Sequence, residues 1–148
     1  MSTIRVTKEF SFEMAHALWN YDGACKNIHG HSYRLFVTVS GTPINEPSNP
    51  KFGMVIDFKD LKTIVKREIV DLLDHALIVF RSAEGESLDA VKKMYEKVHV
   101  FDFQPTCENL VSYTAEVLNK QLPENIRLHS VKLYETATSY AEWYAADN

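Results

Sequence analysis

Three histidines occupy positions from which a β-sheet would bring their side chains together. His29 and His31 are separated by one residue, and residues i and i+2 of a strand project from the same face. His16 ends an earlier alternating segment, on its apolar face. If the two segments pair antiparallel, three imidazoles converge at one end of the sheet. Three protein nitrogens with a fourth position open to water or substrate are typical of a catalytic zinc site.

The histidine pair has a second interpretation, in which His29-Gly30-His31 is a chance occurrence in a turn. The in-phase position of His16 favours the metal site over that alternative. Gly30 also suits a metal site, because its backbone can approach an ion with no side chain in the way.

A cysteine lies in the loop before the histidine pair. Cys25 precedes His29 by four residues. It is compatible with a fourth ligand in a closed structural zinc site, or with a nucleophile or base whose pKa a nearby metal lowers. A third interpretation is a small buried residue. The loop position makes this third interpretation the weakest, and the spacing does not separate the other two.

Two further acidic positions are candidates for proton transfer or substrate binding. Asp74-His75 follows a helical pattern, and an aspartate can orient an imidazole that moves protons. A solvated helix end whose histidine complements the helix dipole is the simpler interpretation. Glu135 shares a strand face with Val131 and Leu133, where a carboxylate needs donors. The guanidine-like edge of a 2-amino-4-oxo pterin would supply them, and a strand-end glutamate facing solvent is the alternative.

Other candidate side chains have sufficient structural explanations. Thr106 is predicted to cap a helix, and Glu108 lies in its first turn, where an acidic group favours the helix dipole. Cys107 is interpreted as a packing residue. His99 and His129 stand alone in the sequence and are assigned no function.

Hydrophobic periodicity predicts the elements that position these residues. Alternation predicts strands over residues 4–18, 31–40 and 126–136, and a short strand over 140–144. Helical spacing predicts a helix from Asp57 to near His75, a short helix over 87–97 and a helix capped by Thr106. This order predicts an α+β fold, an antiparallel sheet with helices packed on one face, in a single domain over 1–148.

Composition excludes several classes of function. The 148 residues carry a net charge of -4 with no basic run, so no nucleic-acid partner is expected. No apolar segment reaches the length of a membrane span or a signal peptide, so no membrane partner and a cytoplasmic location are expected. In that compartment a structural disulfide between the two cysteines is disfavoured.

Taken in order, several short motifs make the chain resemble the 6-pyruvoyl-tetrahydropterin synthase family, which includes 6-carboxytetrahydropterin synthase of queuosine biosynthesis. Each fragment is weak alone, and their combination in this order is highly specific. The motifs are Phe12-Glu13-Met14-Ala15-His16, Cys25-Lys26-Asn27-Ile28-His29-Gly30-His31, Gly53-Met54-Val55-Ile56-Asp57-Phe58, Leu73-Asp74-His75, Pro105-Thr106-Cys107-Glu108-Asn109 and Tyr134-Glu135-Thr136.

The resemblance implies a role for each candidate residue. It implies zinc ligation by the three histidines His16, His29 and His31. It implies that Cys25 is a catalytic thiol and not a ligand, and that Asp74 and His75 assist it. Glu135 would anchor the pterin ring, and Thr106 and Glu108 would lie in the segment that helps to hold it.

The resemblance also implies the fold, the assembly and the reaction. The family has the tunnelling fold, a four-stranded antiparallel sheet with helices on one side, and its subunits usually form a homohexamer with active sites between subunits. The implied activity is that of a lyase acting on 7,8-dihydroneopterin triphosphate. One branch of the family releases triphosphate and keeps a 6-pyruvoyl group. The other also cleaves the side chain, which gives 6-carboxytetrahydropterin and acetaldehyde, and the spacing from Cys25 to His29 is similar to that branch.

Two departures from the family pattern bear on the substrate. The family's Leu-Asp-His is commonly followed by Leu-Asn, whereas Ala76-Leu77-Ile78-Val79 follows His75 here. The stretch from Phe80 to Gln104 is also longer than in compact bacterial members.

Two rival hypotheses remain for the function. They are a non-catalytic zinc-stabilised module, closed by Cys25, and a zinc hydrolase. The first gives Glu135 and Asp74-His75 no purpose, and the second lacks a carboxylate placed to activate water.

Overall fold

The chain is built around one mixed sheet. Within residues 1–83 and 85–148, the part of the chain that the computed structural model describes, six strands pair in the order β4-β3-β1-β2-β5-β6. The strands are β1 (Ile4–His16), β2 (His29–Gly41), β3 (Ala76–Phe80), β4 (Val98–Phe101), β5 (Arg127–Tyr134) and β6 (Tyr140–Tyr144).

The four predicted strands form the antiparallel part of this sheet. β1 and β2 pair along their whole length, from Ile4 opposite Gly41 to His16 opposite His29. β5 pairs antiparallel with β2, and β6 with β5. The alternation that predicted these strands is confirmed, because one face of β1 and β2 is buried and the other is exposed.

The prediction of a four-stranded, purely antiparallel sheet is wrong. β3 pairs parallel with β1, and β4 pairs parallel with β3, so the sheet has six strands and is mixed. Sequence reasoning missed β3 because its apolar run follows the preceding helix without a loop. The chain reverses at His75, whose φ of 59° lies in the left-handed region, and no glycine or proline marks that turn.

The helices are α1 (Phe58–Val65), α2 (Asp71–Leu73), α3 (Gly85–Met94) and α4 (Cys107–Asn119). A π-helical turn over Lys66–Val70 joins α1 and α2 into one continuous helical rod, which matches the single helix predicted from Asp57 to near His75. Asp57 caps this rod by accepting a hydrogen bond from the Lys59 backbone, and Thr106 caps α4 by accepting one from Asn109. α3 falls on the short helix predicted over 87–97.

Helices α1 and α4 cover the same face of the sheet. Their buried residues, such as Leu61 and Leu110, join one core with the inward residues of β1, β2 and β5. The opposite, outer face exposes Glu9 and Arg34, which pair at 2.8 Å. No helix of the described residues is long and apolar enough to cross a membrane. The covered face is the one on which the three histidines lie.

Candidate metal centre and active site

The three histidines meet at the buried end of the β1–β2 pair. His16 and His29 are register partners, and Met14 is the partner of His31. Because directly opposed residues of antiparallel strands project to the same side, the three imidazoles share one face. The Nε2 atoms of His16 and His29 are 3.1 Å apart, and one ligand atom from each of the three lies within 4.8 Å of the others. The predicted convergence is confirmed.

Backbone carbonyls orient two of the rings toward this centre. Nδ1 of His16 lies 2.6 Å from the carbonyl oxygen of Pro105, and Nδ1 of His29 lies 2.7 Å from that of Asn27. A ring nitrogen that donates to a carbonyl carries the proton, so the Nε2 lone pair is left for a metal. Burial lowers the pKa of His16, which favours the neutral, metal-binding form.

This donor set fits a tetrahedral zinc ion. Two nitrogens bound to one zinc lie roughly 3.3 Å apart, which follows from tetrahedral geometry and Zn–N bonds of about 2.0–2.1 Å. The separation between His16 and His29 is close to that value. Two lone pairs facing each other at such a distance repel unless a cation lies between them. The three residues can therefore hold a metal ion and leave one coordination position open.

Glu135 faces the same centre. It follows β5, and its Oε1 atom lies 3.6 Å from Nε2 of His16 and 3.7 Å from Nε2 of His31. Its side chain is only 25% exposed. The carboxylate thus turns toward the histidines and not toward solvent, so the solvent-facing alternative for this residue does not hold.

Two buried groups beside Glu135 were not singled out as functional from the sequence. Tyr33 lies two residues after His31 on the same strand face and is completely buried. Cys107 donates from Sγ to the carbonyl oxygen of Leu133 at 3.2 Å, and burial raises the pKa of its thiol to about 11. The packing role assigned to Cys107 agrees with this contact. The signal for Tyr33 was available, since strand alternation places it in line with His29 and His31.

Cys25 lies in a short helical turn over Ala24–Lys26, beside the metal centre in sequence. Its carbonyl oxygen accepts a hydrogen bond from the Leu18 backbone, and its free thiol is half-buried. The described ligand group contains three histidines and no cysteine. A closed site with Cys25 as fourth ligand is therefore not the arrangement present.

Asp74 and His75 lie in the tight turn between α2 and β3. The turn is attached to β1 at Glu13, whose backbone N–H donates to Asp74 Oδ1 at 2.9 Å and whose carbonyl oxygen accepts from the His75 backbone at 2.6 Å. Nδ1 of His75 lies 3.1 Å from Asp74 Oδ2. The hydrogen bond from Glu13 is the main cause that lowers the pKa of Asp74. The aspartate is thus an ionised partner that orients the imidazole.

The Asp74–His75 pair is not joined to the thiol within one chain. Among the described residues, no hydrogen bond links Cys25 with either member of the pair, and the His75 side chain is 78% exposed. His75 instead borders a groove of about 690 Å³ on the outer face of the sheet. Glu13 and Leu77 line that groove, and His31 contributes to its edge.

Thr106 and Glu108 occupy the start of α4. The Thr106 hydroxyl accepts from the Asn109 backbone, and Glu108 is exposed in the first turn. The residue before the cap, Pro105, supplies the carbonyl that orients His16. The cap therefore fixes a segment that contacts the metal centre.

Residues 5–146 match the family model described as 6-pyruvoyl tetrahydropterin synthase. The chain belongs to the 6-pyruvoyl tetrahydropterin synthase family. A protein of Haemophilus influenzae named 6-carboxy-5,6,7,8-tetrahydropterin synthase is 41% identical, over 94% of this chain and 97% of that one. A relative of the same name from Aquifex aeolicus is 32% identical, over 93% and 96% of the two chains. This tetrahydropterin synthase family member is accordingly an enzyme.

Solved structures confirm the α+β fold of the family member. The crystal structure of an uncharacterized protein from Wolinella succinogenes superposes with a TM-score of 0.79 at 24% identity, covering 98% of this chain and 99% of that one. The 6-pyruvoyl tetrahydropterin synthase of Caenorhabditis elegans superposes with a TM-score of 0.68, also at 24% identity, covering 98% and 97%.

Proposed function

We propose that this protein is a zinc-dependent lyase that converts 7,8-dihydroneopterin triphosphate to 6-carboxy-5,6,7,8-tetrahydropterin, with loss of triphosphate and acetaldehyde. The single observation that carries the proposal is the convergence of three oriented histidines with the Glu135 carboxylate in one buried site. The names of the relatives from Haemophilus influenzae and Aquifex aeolicus support the carboxy-forming branch.

The metal site suits this chemistry. His16, His29 and His31 would hold zinc, which when bound supplies a Lewis acid for the oxygens of the substrate side chain. His16 and His29 are held by backbone carbonyls, so the ligands need no rearrangement during the reaction.

Glu135 would fix the substrate ring. A carboxylate accepts two parallel hydrogen bonds from the amino and ring N–H groups of a 2-amino-4-oxo pterin. With the ring held there, the side chain at position 6 lies near the histidine centre, because Glu135 Oε1 is within 3.7 Å of two ligand nitrogens. Such positioning holds the substrate side chain within reach of the groups that transfer protons to and from it. Thr106 and Glu108, at the start of α4, would help to hold the ring.

Cys25, Asp74 and His75 would move the protons. The Cys25 thiolate would remove a proton from the side chain, and His75 would supply or remove the complementary one. Asp74 would keep the imidazole oriented through its contact at 3.1 Å. In this scheme the triphosphate leaves by elimination. Cleavage of the carbon–carbon bond of the side chain then consumes one water, whose oxygen enters the 6-carboxylate, while the two-carbon fragment takes up a proton and leaves as acetaldehyde.

A second copy of the chain would complete the site. The strongly exposed His75 and the outer groove, bordered by the exposed side chains of Ile28 and Tyr95, support active sites between subunits, and we propose that the assembly is a homohexamer. If Cys25 and His75 of one site come from different subunits, mixing the inactive Cys25→Ala and His75→Ala proteins should restore activity. Random assortment regenerates about one quarter of the sites. Recovery of no activity from mixed oligomers would place both groups in one chain.

The test of the reaction is mass spectrometry of the products after zinc-loaded protein is incubated with 7,8-dihydroneopterin triphosphate. We expect 6-carboxytetrahydropterin and acetaldehyde. A 6-pyruvoyl product would retain the residue roles and move the protein to the other branch of the family. Unchanged substrate, with one zinc verified per chain, would overturn the proposal and favour a zinc-stabilised module without turnover.

A further inference from the structure

A buried phenol beside the metal centre has no hydrogen-bond partner. Tyr33 is 0% exposed, and among the described residues its hydroxyl is a buried side-chain polar atom with no hydrogen bond. Burying a hydroxyl without a partner costs free energy, whereas a phenylalanine would fill the same space at no such cost. An unpaired buried polar group in a native protein therefore needs an explanation.

The ring of Tyr33 is held in one orientation. It stacks on Phe12 with ring centroids 5.1 Å apart and an interplanar angle of 11°. The edges of His31 and His16 meet it with centroid distances of 5.7 Å and 6.4 Å. Because these neighbours fix the ring, the hydroxyl cannot swing toward solvent to find an acceptor.

The strand register places Tyr33 beside Glu135. Arg34 lies opposite Tyr134 in the β2–β5 pair, so one further step along both strands sets Tyr33 beside Glu135. The Glu135 carboxylate also contacts His16 and His31, the two histidines whose rings meet Tyr33. The phenol and the carboxylate therefore face one shared space at the metal centre.

The other polar group in that space is already engaged. The Cys107 thiol donates to the carbonyl oxygen of Leu133. A phenol is both donor and acceptor, and a carboxylate accepts at about four lone-pair positions. Two of those positions suffice for the pterin ring, so Glu135 has capacity left for a third donor.

We propose that Tyr33 is a positioning residue, whose hydroxyl donates a hydrogen bond to Glu135 in the substrate complex and fixes the carboxylate in the plane of the pterin ring. The inference rests on the proposed function, because it assigns Tyr33 a role through the ring-anchoring glutamate. This role explains why the Tyr33 hydroxyl has no partner in the free chain: it donates to Glu135 once the substrate is bound. Tyr33 acts on substrate affinity and takes no proton from the substrate.

The test is a double-mutant cycle that measures pterin affinity. Tyr33→Phe removes the hydroxyl and keeps the packed ring, and Glu135→Ala removes the carboxylate. The Kd of 6-hydroxymethylpterin, which lacks the triphosphate, is followed by its fluorescence in zinc-loaded protein. Tyr33→Phe should weaken binding about tenfold, the size expected for one hydrogen bond to a charged group. In the Glu135→Ala background the same substitution should have no effect.

Three further readouts separate positioning from a structural role. Tyr33→Phe should raise KM while kcat stays within a factor of about two, since only the ring anchor is loosened. Zinc content should stay at the wild-type value and Tm should not fall, because an unpaired buried hydroxyl costs stability and its removal relieves that cost. Tyr113→Phe is the matched control, since that half-buried phenol packs against Phe101 and Phe103, away from the histidines.

The outcomes distinguish this inference from the proposed function. If Glu135→Ala weakens pterin binding and Tyr33→Phe does not, the role of Tyr33 is overturned and the ring anchor stands. An equal loss from Tyr33→Phe with and without Glu135 would also overturn the role, because Tyr33 would then act through another group. If Glu135→Ala binds the pterin as wild type does, the anchoring role of Glu135 itself fails.

Discussion

The histidine centre and the Asp74–His75 turn lie only a few residues apart along β1, yet they differ in almost every physical respect. The centre is buried, and backbone carbonyls orient two of its three ligands. The turn is exposed, and its histidine occupies the left-handed region of backbone space. Backbone hydrogen bonds to Glu13 attach the turn to the sheet, and among the described residues the His75 imidazole has one polar partner, Asp74.

The histidine centre has all of its ligands within one chain, whereas the proton-transfer groups do not meet within one chain. A metal centre needs fixed lone pairs, and neighbouring strands of one chain provide them through register alone. A proton-transfer group needs to reach the reacting atoms, and the exposed His75 does not meet Cys25 within the chain. Substitutions in the two regions should therefore cause different defects. Those in the histidine centre should remove the metal and give the largest losses, and those in the turn should slow proton transfer and give smaller ones.

The largest effect is expected from removing a ligand. His29→Ala should lower zinc from one ion per chain to none after dialysis, as measured by plasma mass spectrometry, and should abolish turnover. Two remaining nitrogens cannot supply the three protein ligands of a catalytic site. His129→Ala is the control, because His129 lies outside the ligand group and contacts Ser130. Full zinc occupancy in His29→Ala would show that zinc binds at a site that does not need His29.

The next largest effect is expected at the thiol. Cys25→Ala should keep its zinc and lose turnover by about 10²–10⁴-fold, the range for a lost general acid or base. Zinc content and steady-state rates measured on the same preparation check this result. Loss of zinc together with activity would make Cys25 a ligand and would contradict its placement outside the histidine group.

A smaller effect is expected at Asp74, and it should depend on pH. The Asp74→Asn amide keeps an oxygen for the Glu13 backbone, so the turn should persist while the charge beside His75 is lost. The pKa of Asp74 is lowered in the folded chain, so its stabilising contribution is complete above the unfolded value of about 3.9 and disappears as pH falls through the lowered value.

The lowered pKa of Asp74 leads to two measurements on Asp74→Asn. Its rate at neutral pH should be about tenfold to a hundredfold below that of wild type, since orientation of the imidazole is lost. Urea unfolding should show wild type to be the more stable at neutral pH and the two proteins to become equal in acid. A stability difference that grows as pH falls would contradict the assigned cause of the shift.

The smallest effect is expected from Lys97, which immediately precedes β4 and supports the turn. Its Nζ atom donates to the carbonyl oxygens of Asp71 at 2.7 Å and Asp74 at 2.5 Å. Lys97→Met should cost about 1 kcal/mol of stability and increase amide hydrogen exchange at residues 74–76. Lys92→Met removes the same charge from an exposed site on α3 and is the matched control. Equal exchange in both variants would show that Lys97 does not hold the turn.

The predictable parts of the fold were those with a strong period. Alternation located the two long strands and placed His16, His29 and His31 on one face, and cap residues located the helices that begin after Asp57 and Thr106. β3 and β4 were missed because each is short, five and four residues long, and so short a segment gives no period that would separate a strand from a buried helix. Their parallel pairing joins residues that are far apart in the sequence, so no local sequence pattern predicts which strands pair.

The sequence by itself determined which residues can share a face, because the repeat of a strand is a local property of the backbone. It thereby determined the three-histidine group and the α+β class. Only the tertiary structure decided that Glu135 turns toward that group, that Tyr33 is buried beside it without a partner, and that Asp74 and His75 are attached to β1 at Glu13. Those contacts join strands and turns distant in sequence, and packing and strand register across the whole sheet fix them.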